Sequence, residues 1–305
     1  MSSLHITQLR ILGVNLEIRK EIYLKSFSQK LIAATLLFGT MALQSPVASF
    51  AQTLYGVTGA GGAVSNLYTV NPLTGATTLV GSTGFAHVTG LDFDPTSGIL
   101  YGVVSDLSNS VAKLITINSI TGAGTAIGDT GNQIPDFTIG PDGVIRGWAT
   151  FGAGSDDLVV LDKNTGAGTI TSSSLRTSQT GVAYESPTSV YVKPSTDLYS
   201  VNVNTGVQTL LFSLGISNAD NILENAPDGT LITGSRDRTG TQLYRIDVGS
   251  GLTTALGHSS QKLSALAYSV SAVPEPSALA LFGIGVAGIG VLSRRRRKKL
   301  TSRVM

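Results

Sequence analysis

The chain has 305 residues, 21 Lys+Arg against 19 Asp+Glu, and no cysteine, which excludes a disulfide framework and thiol chemistry. Its charge is unevenly spread: residues 1–51 hold five basic and two acidic residues, residues 273–305 seven and one, and residues 52–272 nine and sixteen. The basic pI near 8.8 thus belongs to the ends. The middle, at net −7, is the wrong sign to hold nucleic acid or anionic lipid through bulk charge.

At the N-terminus, Arg10, Arg19, Lys20, Lys25 and Lys30 precede an apolar stretch from Leu31 to Leu43. Ser45-Pro46 breaks it, and Ser49-Phe50-Ala51 places small residues at the −3 and −1 positions of a cleavage site. This is the n-region, h-region and processing site of a secretory signal peptide, with cleavage between Ala51 and Gln52. An uncleaved anchor is the alternative reading. In both cases residues 1–51 stand apart from the fold.

The next 220 residues are repetitive. The pattern Leu-x-x-aliphatic-Asn/Asp-x-x-Thr/Ser-Gly recurs at Leu67–Gly75, Leu114–Gly122, Leu158–Gly166, Leu198–Gly206 and Leu243–Gly251. The closing glycines lie 47, 44, 40 and 45 residues apart, which defines a repeat architecture. In each copy a short strand runs into a turn where Asn or Asp can bond its own backbone and Gly can take positive φ. In the first unit a second strand follows at Thr77–Val80 and a third at Val88–Phe93. The Asp94-Pro95-Thr96-Ser97-Gly98 turn then leads to a fourth at Ile99–Val103. Four strands per 40–47 residues is the size of a β-propeller blade.

The fifth unit offers only three strands, at Leu243–Ile246, Thr253–Leu256 and Leu263–Tyr268. The missing one stands at the front: Leu54-Tyr55-Gly56-Val57 repeats Leu100-Tyr101-Gly102-Val103. An N-terminal strand that completes the last blade closes the ring and removes its edges. The expected fold is therefore an all-β, five-bladed propeller over residues 52–272, closed by that strand. A β-helix needs shorter repeats, and a two-sheet sandwich does not need five equal units.

Candidate chemistry is sparse. Only His87 and His258 remain in residues 52–272, too few for a histidine-built zinc site, and no hydrolase elbow, zincin or phosphate-loop motif is present. Asp92, Asp136, Glu185 and Glu224 lie in or beside third strands, and paired carboxylates in a propeller funnel are the apparatus of glycoside hydrolysis. They are the candidate catalytic residues. Against that, Asp92 aligns with Thr138, Ala183 and Glu224, so no single acid repeats. Asp92-Phe93-Asp94 also offers oxygens to calcium, which takes six to eight, but no third acid is near in sequence. The expectation is no cofactor. Trp148, the single tryptophan, reads as packing between blades or as a sugar platform.

The C-terminus carries the sharpest signal. Val273-Pro274-Glu275-Pro276-Ser277 is extended because each proline fixes φ and disfavours helix before it. Ala278–Leu292 is an apolar run of 15 residues, about 22 Å as a helix, short of the roughly 30 Å hydrocarbon core but lengthened by flanking serines and snorkelling arginines. Arg294 to Lys299 are six consecutive cations that hold the end in the cytoplasm. Gly283-Ile284-Gly285-Val286-Ala287-Gly288 spells a dinucleotide fingerprint, yet a basic tail follows where that fold needs an acid. Small residues in a membrane helix explain the glycines better.

These three pieces, in this order, resemble the PEP-CTERM sorting signal of diderm bacteria, read by an exosortase-type membrane protease. The resemblance covers about a tenth of the chain. It implies export across the inner membrane, anchoring through the C-terminal helix, and cleavage near Pro274-Glu275-Pro276. Because such proteins accompany exopolysaccharide production, it also implies a matrix polysaccharide or surface protein as partner. The expected function is a non-enzymatic binding or structural module of the envelope or biofilm. A secreted glycoside-active enzyme using the third-strand carboxylates is the alternative.

Overall fold

A computed structural model describes residues 52–59, 62–105, 111–150, 156–175, 180–216 and 219–269. The signal peptide expected at residues 1–51, the Val273–Ser277 motif and the C-terminal apolar run lie outside the described residues. Among the described residues no helix is long and apolar enough to cross a membrane.

The described chain forms five four-stranded antiparallel sheets. The first joins β1 (Leu54–Thr58), β2 (Val64–Val70) and β3 (Thr77–Ala86) to the last strand, β20 (Leu263–Tyr268), in the order β20-β1-β2-β3. The second comprises β4 (Val88–Phe93), β5 (Leu100–Val104), β6 (Lys113–Ile117) and β7 (Gly124–Asp129). The third is β8 (Gln133–Ile139), β9 (Ile145–Thr150), β10 (Asp156–Leu161) and β11 (Gly168–Leu175). β12 (Thr180–Ser186), β13 (Ser189–Pro194), β14 (Asp197–Asn202) and β15 (Gln208–Ser213) make the fourth. β16 (Ala219–Asn225), β17 (Leu231–Arg236), β18 (Thr241–Ile246) and β19 (Thr253–Ser259) make the fifth. The innermost strands β20, β4, β8, β12 and β16 touch in a closed circuit, so this is a five-bladed propeller.

The N-terminal strand closes the ring as the sequence predicts: Leu54 pairs with Tyr268 and Gly56 with Leu266. The blade boundaries fall elsewhere than the repeat suggests. A repeat unit spans the two outer strands of one blade and the two inner strands of the next. Hence Leu243–Ile246 and Thr253–Leu256 belong to the fifth blade, while the closing blade takes three strands from the N-terminus and only β20 from the C-terminus. Periodicity fixes the length of a unit but not its phase, because a cyclic pattern has no intrinsic start.

The repeated motif makes the turn between the third and fourth strands of each blade. Asn71 Oδ1 accepts from the N–H groups of Leu73 (3.0 Å) and Thr74 (3.1 Å), while the Gly75 N–H returns to the Asn71 carbonyl (2.8 Å). Asn118, Asp162, Asn202 and Asp247 make the same pair of bonds. Gly75, Gly122, Gly166, Gly206 and Gly251 all take positive φ, between 69° and 80°. The leading leucines Leu67, Leu114, Leu158, Leu198 and Leu243 are all buried between blades. Trp148 is buried too, packed among Leu158, Val182, Val190 and Val201, with its indole N–H donating to Asp156 Oδ2 at 2.8 Å. It is packing and no platform.

Candidate functional site

The inner strand of a propeller blade has one edge without a sheet partner, and its N–H and C=O groups need acceptors and donors from elsewhere. Here each junction between inner strands is bridged by a side chain. Asp92 on β4 accepts from the Ile139 N–H (2.6 Å) and the Thr138 hydroxyl (3.1 Å) of β8. Asp136 on β8 accepts from the Val182 N–H of β12 at 2.9 Å. Asn225 on β16 accepts from the Tyr184 N–H and donates to the Tyr184 carbonyl of β12, both at 2.9 Å. Glu224 on β16 accepts from the Tyr268 N–H of β20 at 2.9 Å. Ser264 on β20 donates to the Val88 carbonyl of β4 at 2.7 Å, and the circuit is complete.

Asp92, Asp136 and Glu224 are thus brought to the axis. Glu185 is not: its carboxylate takes the Ser200 hydroxyl of β14 instead. Sequence reasoning missed Asn225 and Ser264, whose roles carry no repeated letter. Asp92 and Glu224 line one mouth of the central channel, a cavity of about 270 Å³ closed in by Phe93, Tyr184 and Tyr268.

Burial dominates the electrostatics. It pushes Asp92 up to about 7 against the lowering effect of its hydrogen bonds, and the charge on Asp94 adds to the rise. Asp136 is raised well above the carboxylate range by burial, with Asp92 adding and Lys193 opposing. Burial likewise raises Glu224, helped by Asp92 and Asp136. Three buried like groups near one another resist ionising together. Tyr268, half-buried beside Glu224, is pushed up to about 12 by that burial and by the Glu224 charge.

Asp94 behaves oppositely. Burial works against its charge, but the Lys163 ammonium at 2.6 Å and the hydroxyls of Ser97 and Thr96 hold it well below the usual range. It ties the second blade to the third. The oxygens of Asp92 and Asp94 therefore face N–H, hydroxyl and ammonium donors, and a calcium ion there would have to displace them. Among the described residues no three His, Asp or Glu converge as a metal site. His258 Nε2 lies 3.0 Å from Asp237 Oδ2 on the surface, away from the channel mouth.

Fold and axis together define a five-bladed propeller whose channel carries buried acids. Residues 272–297 match the PEP-CTERM protein-sorting motif, so the propeller bears a C-terminal sorting signal that implies export and membrane anchoring before processing. No curated protein matches the chain in sequence. Among solved structures, a chain of the nidogen/laminin complex is similar at 9% identity and TM-score 0.49, covering 72% of this chain and 98% of that one. TolB from Acinetobacter baumannii is similar at 12% identity and TM-score 0.46, covering 75% and 69%. An engineered GH43 glycoside hydrolase is similar at 11% identity and TM-score 0.46, covering 67% and 50%.

Proposed function

We propose that the chain is an exported binding module. An exosortase-type protease cuts it near Pro274-Glu275-Pro276 and delivers it to the cell surface or matrix, where it holds a polysaccharide or a surface protein. The sorting motif at residues 272–297 carries this reading. The axial acids support it, since Asp92, Asp136 and Glu224 each spend an oxygen on the neighbouring blade's backbone.

Glycoside hydrolysis is the second reading, and one observation favours it. Asp92 and Glu224 share one cavity, and a carboxyl titrating near 7 is suited to a general acid. Processed protein purified from its native host separates the two on a glycan array with a parallel assay for released reducing sugar. Retention of a glycan without release is the expected result. Release that disappears in Asp92→Asn and Glu224→Gln makes the protein an enzyme.

A further inference from the structure

Until it is cut, the propeller is held at one place, and the structure shows where. β20 is an innermost strand, and its end lies at the channel mouth: Tyr268 lines the cavity with Asp92 and Glu224, and the Ser269 N–H is bonded to the Thr53 carbonyl at 2.8 Å. From Ser269 to the first residue of the apolar run, Ala278, there are nine residue steps, at most about 30 Å of chain. A body of some 220 residues has a radius near 20 Å, and six-residue strands give blades about 20 Å tall. To lay the opposite face on the membrane, the tether would have to cross the mouth face and then the rim, about 40 Å. It is too short.

The mouth face has a second peculiarity. Strands alternate in direction, so the turns after each blade's first and third strands share this face. Asn71, Leu73 and Asp228 accordingly line one groove with Tyr268. The four most exposed large apolar side chains among the described residues lie in or just after third-strand turns. They are Ile120 (86% exposed), Leu73 (69%), Leu252 (66%) and Val207 (61%). They come from four different blades and so stand as a crown around the outer edge of this face. Exposed apolar groups gathered on one face mark an interaction surface.

We propose that this crowned face rests on the lipid surface while the tail is attached, covering the channel mouth, and that proteolysis uncovers it. This rests on the sorting reading above. The contact is apolar: Arg146 and Arg245 are paired with Asp142 and Asp228 on this face, which leaves these pairs no net positive charge to attract anionic headgroups.

The cysteine-free chain makes the test direct. Single cysteines are placed at Thr188→Cys and Asn204→Cys on the mouth face and at Arg238→Cys and Lys262→Cys on the opposite face. They are labelled with an impermeant maleimide on spheroplasts of a host without exosortase. With the tail retained, the mouth-face pair should label at least five-fold more slowly than the opposite pair, and detergent should abolish the difference. Equal rates on intact membranes overturn the proposal, as does a difference that survives detergent. Serine at Leu73, Ile120, Val207 and Leu252 together should cut the protection below two-fold; unchanged protection overturns the role of the crown. If a host with exosortase leaves the tail uncut, the sorting reading fails while the labelling asymmetry stands.

Discussion

The rim and the axis of this propeller solve the same problem in opposite ways. At the rim, five turns satisfy their backbone with one recipe: Asn or Asp caps two N–H groups and Gly takes the left-handed position. At the axis, five junctions are satisfied by Asp92, Asp136, Asn225, Glu224 and Ser264, of which only Asp92 and Glu224 share a register. A turn is local, so its geometry dictates a residue at a fixed offset. A junction is long-range, and any side chain that reaches the orphan N–H or C=O with the complementary group will serve.

The largest effect should come from the one strand that belongs to both ends of the chain. Deleting residues 52–58 removes β1 from between β20 and β2, which cuts the closing blade through its middle. We expect no cooperative thermal transition by circular dichroism. A melting temperature within a few degrees of the parent would mean that axis and rim do not depend on closure.

Next comes the rim. A Cβ at Gly122 would meet backbone atoms of Gly81 in the neighbouring blade at 2.6–2.7 Å, besides occupying φ +80°. Gly122→Val should cost about 3 kcal/mol, from strain and overpacking together. Urea unfolding measures it, and a loss below about 1 kcal/mol would show that the turns yield. Asp136→Ala should cost somewhat less, about 1–3 kcal/mol, because it strands the buried Val182 N–H.

The axis should also respond to pH in a direction the rim does not. Burial holds the Asp92 proton up to about 7 in the folded ring, against 3.8 for a free aspartate side chain, so the folded state binds more protons across that window. Its contribution is full below the unfolded value and is lost as pH rises through about 7. The exposed turn carboxylates Asp162 and Asp247 are lowered by the N–H groups they cap, and what they contribute is lost on acidification instead. In Asp92→Asn, the fall in melting temperature between pH 4 and 7 should flatten. An unchanged slope would remove Asp92 as its source. The smallest effect is Asn118→Ala, which deletes one cap and should cost about 1 kcal/mol by the same measurement.

Much of this fold is legible in the sequence. Five Leu-to-Gly copies gave the blade count, and the Leu54–Val57 echo of Leu100–Val103 gave the closure. Blade phase was not legible, since the copies repeat around a circle. Nor was the fate of the acids. Asp92, Asp136 and Glu224 differ from Glu185 by where their strands end around the axis, and a single chain of letters does not record that. Ser264 was invisible in a body rich in serine.

The mixed blade sets an order of events during export. Leu54 meets Tyr268 across more than two hundred residues of chain, so the first-exported strand waits for the last. Until β20 emerges, β1 presents an open edge and the innermost strands β16 and β4 have no strand between them. That strand ends only ten residue steps before the apolar run begins. The latch is therefore the last element of the ring to be delivered, and a chain interrupted anywhere upstream lacks it.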